Sequence, residues 1–527
     1  MTETETRHGF PFFPILALLF LWCGCFTTFH LTSVDNAGIC TALRNWDEYG
    51  YSNLRGQFVI NPGGIAPGEE LQLYLGHRTW SILPQYVIGH LLGGPTHSLL
   101  PFYLILSTTV GVSIWFFFKK SESAALLATL VVLCPGFSRY AIGYDPIGIP
   151  ILWGIPAMLL IVQLMTSEKA GAWKRMSLAF IILLLYVAMN WSVIFPVSSA
   201  LVCLLLIKPA RIKFLLPVVI LSAFLVILVT YASLSTKYGS GTGTPKTGAV
   251  HNAFQAMWDN YLWGRHGYGG GHTMTLFKAL PRMLAANTIG LFPLILYFIY
   301  QMVREFRRAG FSRVALSLAP LATVILGILT LRNLFGHHSW MAGPPLMAGM
   351  IFSLALMERR RESAPSEEPS HANTCSVIRT AALIGAAVYM FFMLLISRAY
   401  MGGAPEVIDL VTKNTSRHSL ILLAPDLPSQ FRDESDRMAA EFDRKVAPYP
   451  EWKSGSTVPA GGVYVLSSVP HLEKELSAVD STTAGNELGK SLFSGLFRFY
   501  QVHIAKRDPG EKLELDSPYY LYRLVQP

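Results

Sequence analysis

Apolar runs of nearly helical-span length recur from Phe12 to Ile396, and most are closed by a short charged or polar segment. About 20 consecutive apolar residues cross the hydrocarbon of a bilayer as a helix. Such runs fall at roughly 12–31, 98–118, 124–140, 147–165, 215–231, 284–303, 315–331, 341–357 and 378–396. Two shorter ones lie within 177–207, folded at Asn190-Trp191-Ser192. The pattern predicts an α-helical polytopic membrane protein with about eleven transmembrane helices. Only 14% of the 527 residues are charged, where a soluble chain carries about 25%. The first run is too long for the core of a cleaved signal and no small-residue cleavage site follows it, so it reads as a retained helix.

The net charge of +9 does not indicate nucleic acid. Lys and Arg concentrate at 119–120, 169–175, 208–213, 304–313 and 359–361, which are alternate ends of the spans. Cytoplasmic loops carry such an excess. The N-terminus is therefore expected in the cytoplasm. An odd number of spans then puts the tail outside the membrane. Six cysteines offer neither a disulfide framework nor a zinc-binding spacing.

The expected domains are 1–400, membrane-embedded with external loops 32–97 and 234–283, and 401–527, an extracytoplasmic C-terminal domain. Beyond Met401, short apolar runs such as HSLILLAP and GGVYVLSSV alternate with helical stretches such as DESDRMAAEFDRKV. That alternation predicts a small α/β domain. It carries no catalytic signature.

Residues that can carry chemistry gather on the external side. Thr32 to Tyr51 reads TSVDNAGICTALRNWDEYGY and places Asp35 just beyond the first span. Asp35 reads as a helix cap or as a functional carboxylate at the membrane edge. Arg44 stands at helical spacing from Asp47 and Glu48, which predicts a solvated ion pair. Residues 75–92, LGHRTWSILPQYVIGHLL, are too polar to cross lipid and read as an interfacial helix, with Trp80 and Tyr86 at headgroup depth. Asp145 lies in SRYAIGYDP, between the third and fourth spans, where an N-cap followed by proline is the alternative reading. Arg139, Arg265, Lys278, Arg282 and Arg332 are cations on the side where the positive-inside rule does not expect them. A phosphate at the outer surface would use such groups, and headgroup snorkelling is the competing reading. His337 and His338 are adjacent, so they do not form a chelating pair on a helix. The tract GSGTGT lacks the Lys-Ser/Thr of a phosphate loop.

Four of these segments, in order, resemble the GT-C class of membrane glycosyltransferases that use polyprenyl-phosphate sugars. The similarity is to the group of aminoarabinose transferases and protein mannosyltransferases. DNAGICTALRNWDEYGY is similar to the family's acidic first external loop, and the leading catalytic Asp would be Asp35. Asn36 replaces the second acid of the family's Asp-Glu pair. YLGHRTWSILPQYVIGHLLGG is similar to the family's interfacial helix, with His77 at its start and Arg78-Thr79 in place of two prolines. SRYAIGYDPIGIPILW is similar to the second acidic site, which would be Asp145. HHSWMAGPPLMAG is similar to the entry of a late span, with His338 the matching histidine.

The resemblance covers roughly residues 10–360. It implies an inverting glycosyltransferase in a bacterial inner membrane. The donor would be a polyprenyl-phosphate-linked sugar, and the acceptor a lipid, a glycan or a protein. It assigns Asp35 and Asp145 to catalysis and His77 and His338 to substrate binding, while Arg139, Arg265 and Arg332, as cations on the external side, are expected to bind the substrate phosphate. It leaves room for a divalent cation. Two other classes stay open from the residues alone: a lipid or solute transporter, and a non-catalytic envelope scaffold. A transporter is expected to carry its carboxylates near the midplane and to show inverted repeats. The candidate acids here lie at one surface, and no such repeat is visible.

Overall fold

The computed structural model describes residues 34–54, 56–65, 71, 79–93, 99–119, 122–134, 136–137, 148–167, 171–187, 191–235, 276–330, 342–362, 404–427, 438–439, 442–449, 459–470, 476–483 and 518–524. In chain order the helices are α1 (Val34–Tyr49), α2 (Leu83–Leu91), α3 (Leu99–Phe117), α4 (Glu122–Leu133), α5 (Gly148–Thr166), α6 (Ala172–Val187), α7 (Ile194–Ile207) and α8 (Pro209–Ser235). They continue with α9 (Leu276–Ala309), α10 (Phe311–Ser317), α11 (Ala319–Thr330), α12 (Gly343–Glu362) and α13 (Ala404–Asn414). The strands are β1 (Leu420–Leu423), β2 (Lys445–Pro448), β3 (Val463–Ser467), β4 (Leu476–Thr483) and β5 (Pro518–Leu524). The chain packs as two compact units. One contains 1–24, 77–84 and 100–391; the other contains 25–76, 85–99 and 392–527.

The first unit is a helical bundle with α12 at its centre, packed against α5, α7, α9 and α11. Met347, Ala348, Ile351, Phe352, Ala355 and Leu356 of α12 are all fully buried. The outward faces are also apolar. Leu178, Ile181 and Leu185 of α6 are exposed at helical spacing, as are Leu216, Ile220 and Phe224 of α8 and Leu296, Ile299 and Val303 of α9. Water does not tolerate stripes of this kind on several neighbouring helices, whereas lipid covers them without cost. By length and apolarity alone α5 qualifies as a span among the described residues, and α10 with α11 qualifies as a second, broken one. Several cationic helix ends meet. Lys208 Nζ donates to the Thr166 carbonyl at 3.2 Å, Arg175 donates to the Ser167 carbonyl, and Arg359 lies 5.2 Å from the Phe117 ring.

The run at 315–331, read as one span, is bent by 51° between α10 and α11. Pro320 explains the break: it has no N–H to continue the ladder, but is tolerated in the first turn of the next helix. The donor freed at Leu321 is satisfied by Ser353 Oγ of α12 at 3.2 Å, and Ser199 Oγ donates to the Pro320 carbonyl at 3.4 Å. Serines from two neighbouring helices thus close the break.

The second unit joins α1, most of α2 and the tail. The tail sheet has the order β2-β1-β3-β5-β4. β1 pairs in parallel with β2 and β3, and β5 pairs antiparallel with β3 and β4. On one face Val407, Leu410 and Val411 of α13 pack with Ile421, Leu423, Leu466, Tyr519 and Leu521. Leu422, Val463, Val465 and Tyr522 form a smaller cluster on the other. The boundary read from composition near 401 marks where the tail begins. The compact unit that holds the tail also takes in 25–76 and 85–99, and so most of the loop at 32–97. Within the segment at 75–92 the described residues form a 3-10 turn at Thr79–Ser81 and then a helix that begins at Leu83.

Asp426, in the turn after β1, ties that turn to the end of β3. Its carboxylate accepts from Ser467 Oγ at 2.8 Å, Ser468 N at 2.6 Å and Ser468 Oγ at 2.9 Å. Burial alone would raise its pKa, but these hydrogen bonds outweigh burial and hold it below the usual carboxylate range. A carboxyl depressed on folding contributes stability above its unfolded pKa and loses it as pH falls through the folded one. Asp426→Asn should therefore lower the unfolding temperature of the full-length protein at neutral pH. The gap from wild type should shrink as the pH falls through and below the usual carboxylate range, as thermal unfolding across a pH series would show.

Candidate functional site

The site is assembled on α1, a 16-residue helix that begins three residues after the first apolar run. Asp35 is its second residue, inside the first turn. An anion in that position is favoured by the helix dipole. By helical register position 35 lies in line with Ile39, Ala42 and Trp46, all three of them buried. The rise per residue puts Asp35 and Trp46 about 16 Å apart along the axis.

Aromatic packing fixes the far end of α1. Trp46 is fully buried, stacked on Phe58 at 5.4 Å and edge-on to Tyr51 at 4.9 Å and Tyr86 at 5.1 Å. Its indole N–H donates to the Gln57 carbonyl at 2.7 Å. Asn45 Nδ2 donates to the carbonyls of Val59 at 2.7 Å and Asn61 at 3.2 Å. Tyr49 Oη accepts from the Ile65 N–H at 2.8 Å. One turn of helix therefore satisfies the backbone of the strap that follows it, residues 57–65. Loop backbone needs such side-chain partners for its polar groups.

The opposite face of α1 carries charge, and its partners lie in the tail. Arg44 Nη1 is 3.2 Å from Asp443 Oδ2. Arg417 Nε donates to Asp443 Oδ2 at 2.7 Å, and its Nη2 donates to Asn45 Oδ1 at 2.6 Å. Arg417 Nη1 donates to Glu48 Oε2. The Gly63 N–H reaches Asp443 Oδ1 at 3.3 Å, while His418 Nδ1 meets the Gly63 carbonyl at 2.9 Å and His418 Nε2 lies 3.4 Å from Glu48. The Asp443 side chain is 1% exposed. A carboxylate so buried is tolerated because two guanidinium groups and a backbone N–H surround it. The solvated intrahelical pair expected of Arg44 with Asp47 and Glu48 does not form. Arg44 turns to Asp443, Glu48 to Arg417, and Asp47 to His90 at 2.9 Å. A residue almost 400 positions away takes the cation, a partner that helical spacing cannot reveal.

Titration behaviour follows from this packing. Burial lowers Arg444 to about 10, with Asp443 opposing the fall. Its guanidinium remains charged and donates to the carbonyls of Thr415 at 2.8 Å and Phe442 at 3.1 Å. Burial pushes the Cys40 thiol up to about 12, so it is inert at neutral pH. Tyr86 is raised by burial and by the neighbouring Asp47.

Of the residues expected at the site, His77, Arg139, Asp145, Arg265, Arg332 and His338 lie outside the described residues. Asp35 is described by its helical backbone alone. Among the described residues no group of three or more His, Cys, Asp or Glu side chains is arranged to hold a metal. The acids nearest to hand do not fit a cation, since Asp47, Glu48 and Asp443 are engaged by histidine and arginine. The sequence did not single out Arg417, His418, Asp443 or Gly63. Arg417 and His418 had one indirect signal, the conspicuously polar NTSRHS near the start of the tail, and Asp443 and Gly63 had none.

No family model matches the chain, and no curated protein matches it. Several solved structures are similar to it, two of them as follows. One is ArnT from Cupriavidus metallidurans in the apo state, with 12% identity over 82% of this chain and 84% of that one and a TM-score of 0.48. The other is ArnT from the same organism bound to undecaprenyl phosphate, with 12% identity over 82% of this chain and 74% of that one and a TM-score of 0.44.

Gly63 of the strap lies directly against the backbone of the tail. Its φ is +72°, and a Cβ there would lie 2.9 Å from the Arg417 carbonyl and 3.2 Å from the Lys445 N. Gly93 has φ +94° with open space around it. Gly63→Ala should therefore destabilise the protein by about 1–3 kcal/mol, and more than Gly93→Ala, which meets the backbone penalty alone. Thermal unfolding of both variants in the full-length protein checks the order.

Proposed function

We propose that the chain is a membrane glycosyltransferase that moves a sugar from a polyprenyl-phosphate donor to a hydroxyl-bearing acceptor, with Asp35 as the base. The observation that carries this reading is the register of α1. A carboxylate sits in the first turn of a helix that leaves the first apolar run directly, and the other end of that helix is fixed by buried aromatic and charged contacts. A general base needs such support, because small errors of placement cost large factors in rate.

In the proposed reaction the acceptor oxygen attacks C1 of the sugar as its proton passes to Asp35. The bond from C1 to the phosphate oxygen breaks, and the polyprenyl phosphate leaves with the electron pair. The departing phosphate is already a weak base, so little general acid is required. One displacement by one nucleophile inverts C1. Cations hold the negative charge on the leaving group, a role we assign to Arg139, Arg265, Arg332 and His338. His77 contributes to substrate binding, and Asp145 positions the acceptor or a divalent cation. The reaction takes place at the outer face of a bacterial inner membrane, with the lipid tail of the donor in the bilayer. The acceptor is a lipid, a glycan or a protein.

The test is transfer from a pool of undecaprenyl-phosphate sugars by membranes holding wild type or Asp35→Asn at equal amounts. Loss of a base typically costs about 100- to 10,000-fold, so the labelled product should disappear in the variant. Near-normal transfer by Asp35→Asn would remove Asp35 from the mechanism. Movement of lipid or solute by a wild type that transfers no sugar would point to a transporter instead.

A further inference from the structure

The second unit brings together two parts of the chain that the sequence separates by more than 350 residues, and the join is made of charge. Thr41, Arg44, Asn45 and Glu48 of α1 meet Arg417 and Asp443 of the tail. Arg417 spends all three of its nitrogens on this contact: Nε and Nη2 on Asp443, Nη1 on Glu48, and Nη2 again on Asn45. Asp443 answers with both oxygens, to Arg417, Arg44 and the Gly63 N–H. It adopts φ +51°, a conformation that few side chains tolerate.

Adhesion alone does not explain this arrangement. Apolar side chains of similar volume usually hold two elements together as well as a buried ion pair or better. A fork of directional bonds adds a fixed register. A one-residue slide of α1 moves each donor by about 1.5 Å along the axis, beyond the narrow distance range of a hydrogen bond. A helix is stiff along its axis, so the setting of residues 44–48 is also the setting of residue 35.

We propose that Arg417 and Asp443 are positioning residues: by gripping Arg44, Asn45 and Glu48 they fix the axial setting of α1 and so hold Asp35 at the reacting centre. This gives the tail domain a role in the reaction without a catalytic group of its own. The inference rests on the reading of Asp35 as the base.

Asp443→Asn is the sharpest probe, because asparagine accepts the left-handed backbone while it removes the charge and turns one acceptor oxygen into a donor. Arg417→Lys keeps a charge and loses the fork. Asp409→Asn, which breaks the exposed Asp409–Lys413 pair on α13, is the control. Hydrogen exchange of the full-length protein in nanodiscs reports on residues 34–49, with 420–423 and 463–467 as the reference. Transfer from the undecaprenyl-phosphate sugar pool reports on rate. In Asp443→Asn we expect exchange in 34–49 to rise about tenfold or more while the two strands stay protected. Transfer at saturating donor should fall about tenfold or more with apparent KM within about twofold. Arg417→Lys should fall between this variant and wild type, and Asp409→Asn should match wild type.

Unchanged exchange in 34–49 would overturn the proposal. So would equal loosening of the strands, which would make the contact structural only. Loss of transfer in Asp35→Asn alongside an unchanged rate in Asp443→Asn would overturn the positioning role and leave the base intact. Full transfer by Asp35→Asn would overturn the reading of the reaction itself, whatever exchange shows.

Discussion

A buried carboxylate with two arginines around it organises the second unit. Asp443 is shielded from water, and its charge is stable there only while Arg44, Arg417 and the Gly63 N–H all remain in place. Those three partners come from a helix near the N-terminus, from the entry to the tail sheet, and from the strap between them. Each is held in turn by something else. α1 is pinned by Trp46, Arg417 by Glu48 and Asn45, and Gly63 by the absence of a side chain. Losing one member leaves an uncompensated charge in a dry place, which costs about 3–5 kcal/mol for a typical buried pair.

The first unit obeys a different constraint. Its helices are apolar inside and out, so the hydrophobic effect does not decide which face turns inward. Close approach and backbone satisfaction decide instead. Glycine admits neighbours: a Cβ on Gly349 would lie 3.1 Å from the Leu321 Cα. Where proline breaks a helix, serines from adjacent helices take up the freed groups. Positive residues mark one set of helix ends and bond to the carbonyls that those ends leave open.

The helices of the first unit were largely legible, because runs of apolar residues closed by Lys and Arg report directly on where a helix begins and ends. The runs at 98–118, 147–165 and 341–357 correspond closely to α3, α5 and α12. The bend at Pro320 was also present in the sequence, as a proline within an apolar run, but hydropathy alone weighs it as nothing. The helix at 34–49 was partly legible. Its acids were noticed and their partners misassigned, since a pairing rule based on spacing of three or four sees only one helix. Asp443 gave no signal because a charged residue in a charged stretch of tail looks solvated until its surroundings are known.

The sequence alone determined that this chain carries many helix-length apolar segments, which ends of them are cationic, and where an α/β tail begins. Local composition and period are enough for that, because each segment answers to its own solvent. Only the tertiary structure decided that α1 and the strap pack with the tail, that Arg44 and Glu48 reach Asp443 and Arg417, and that Gly63 lies against the Arg417 carbonyl. These contacts span more than 350 residues, and their energy depends on burial, which no local pattern encodes.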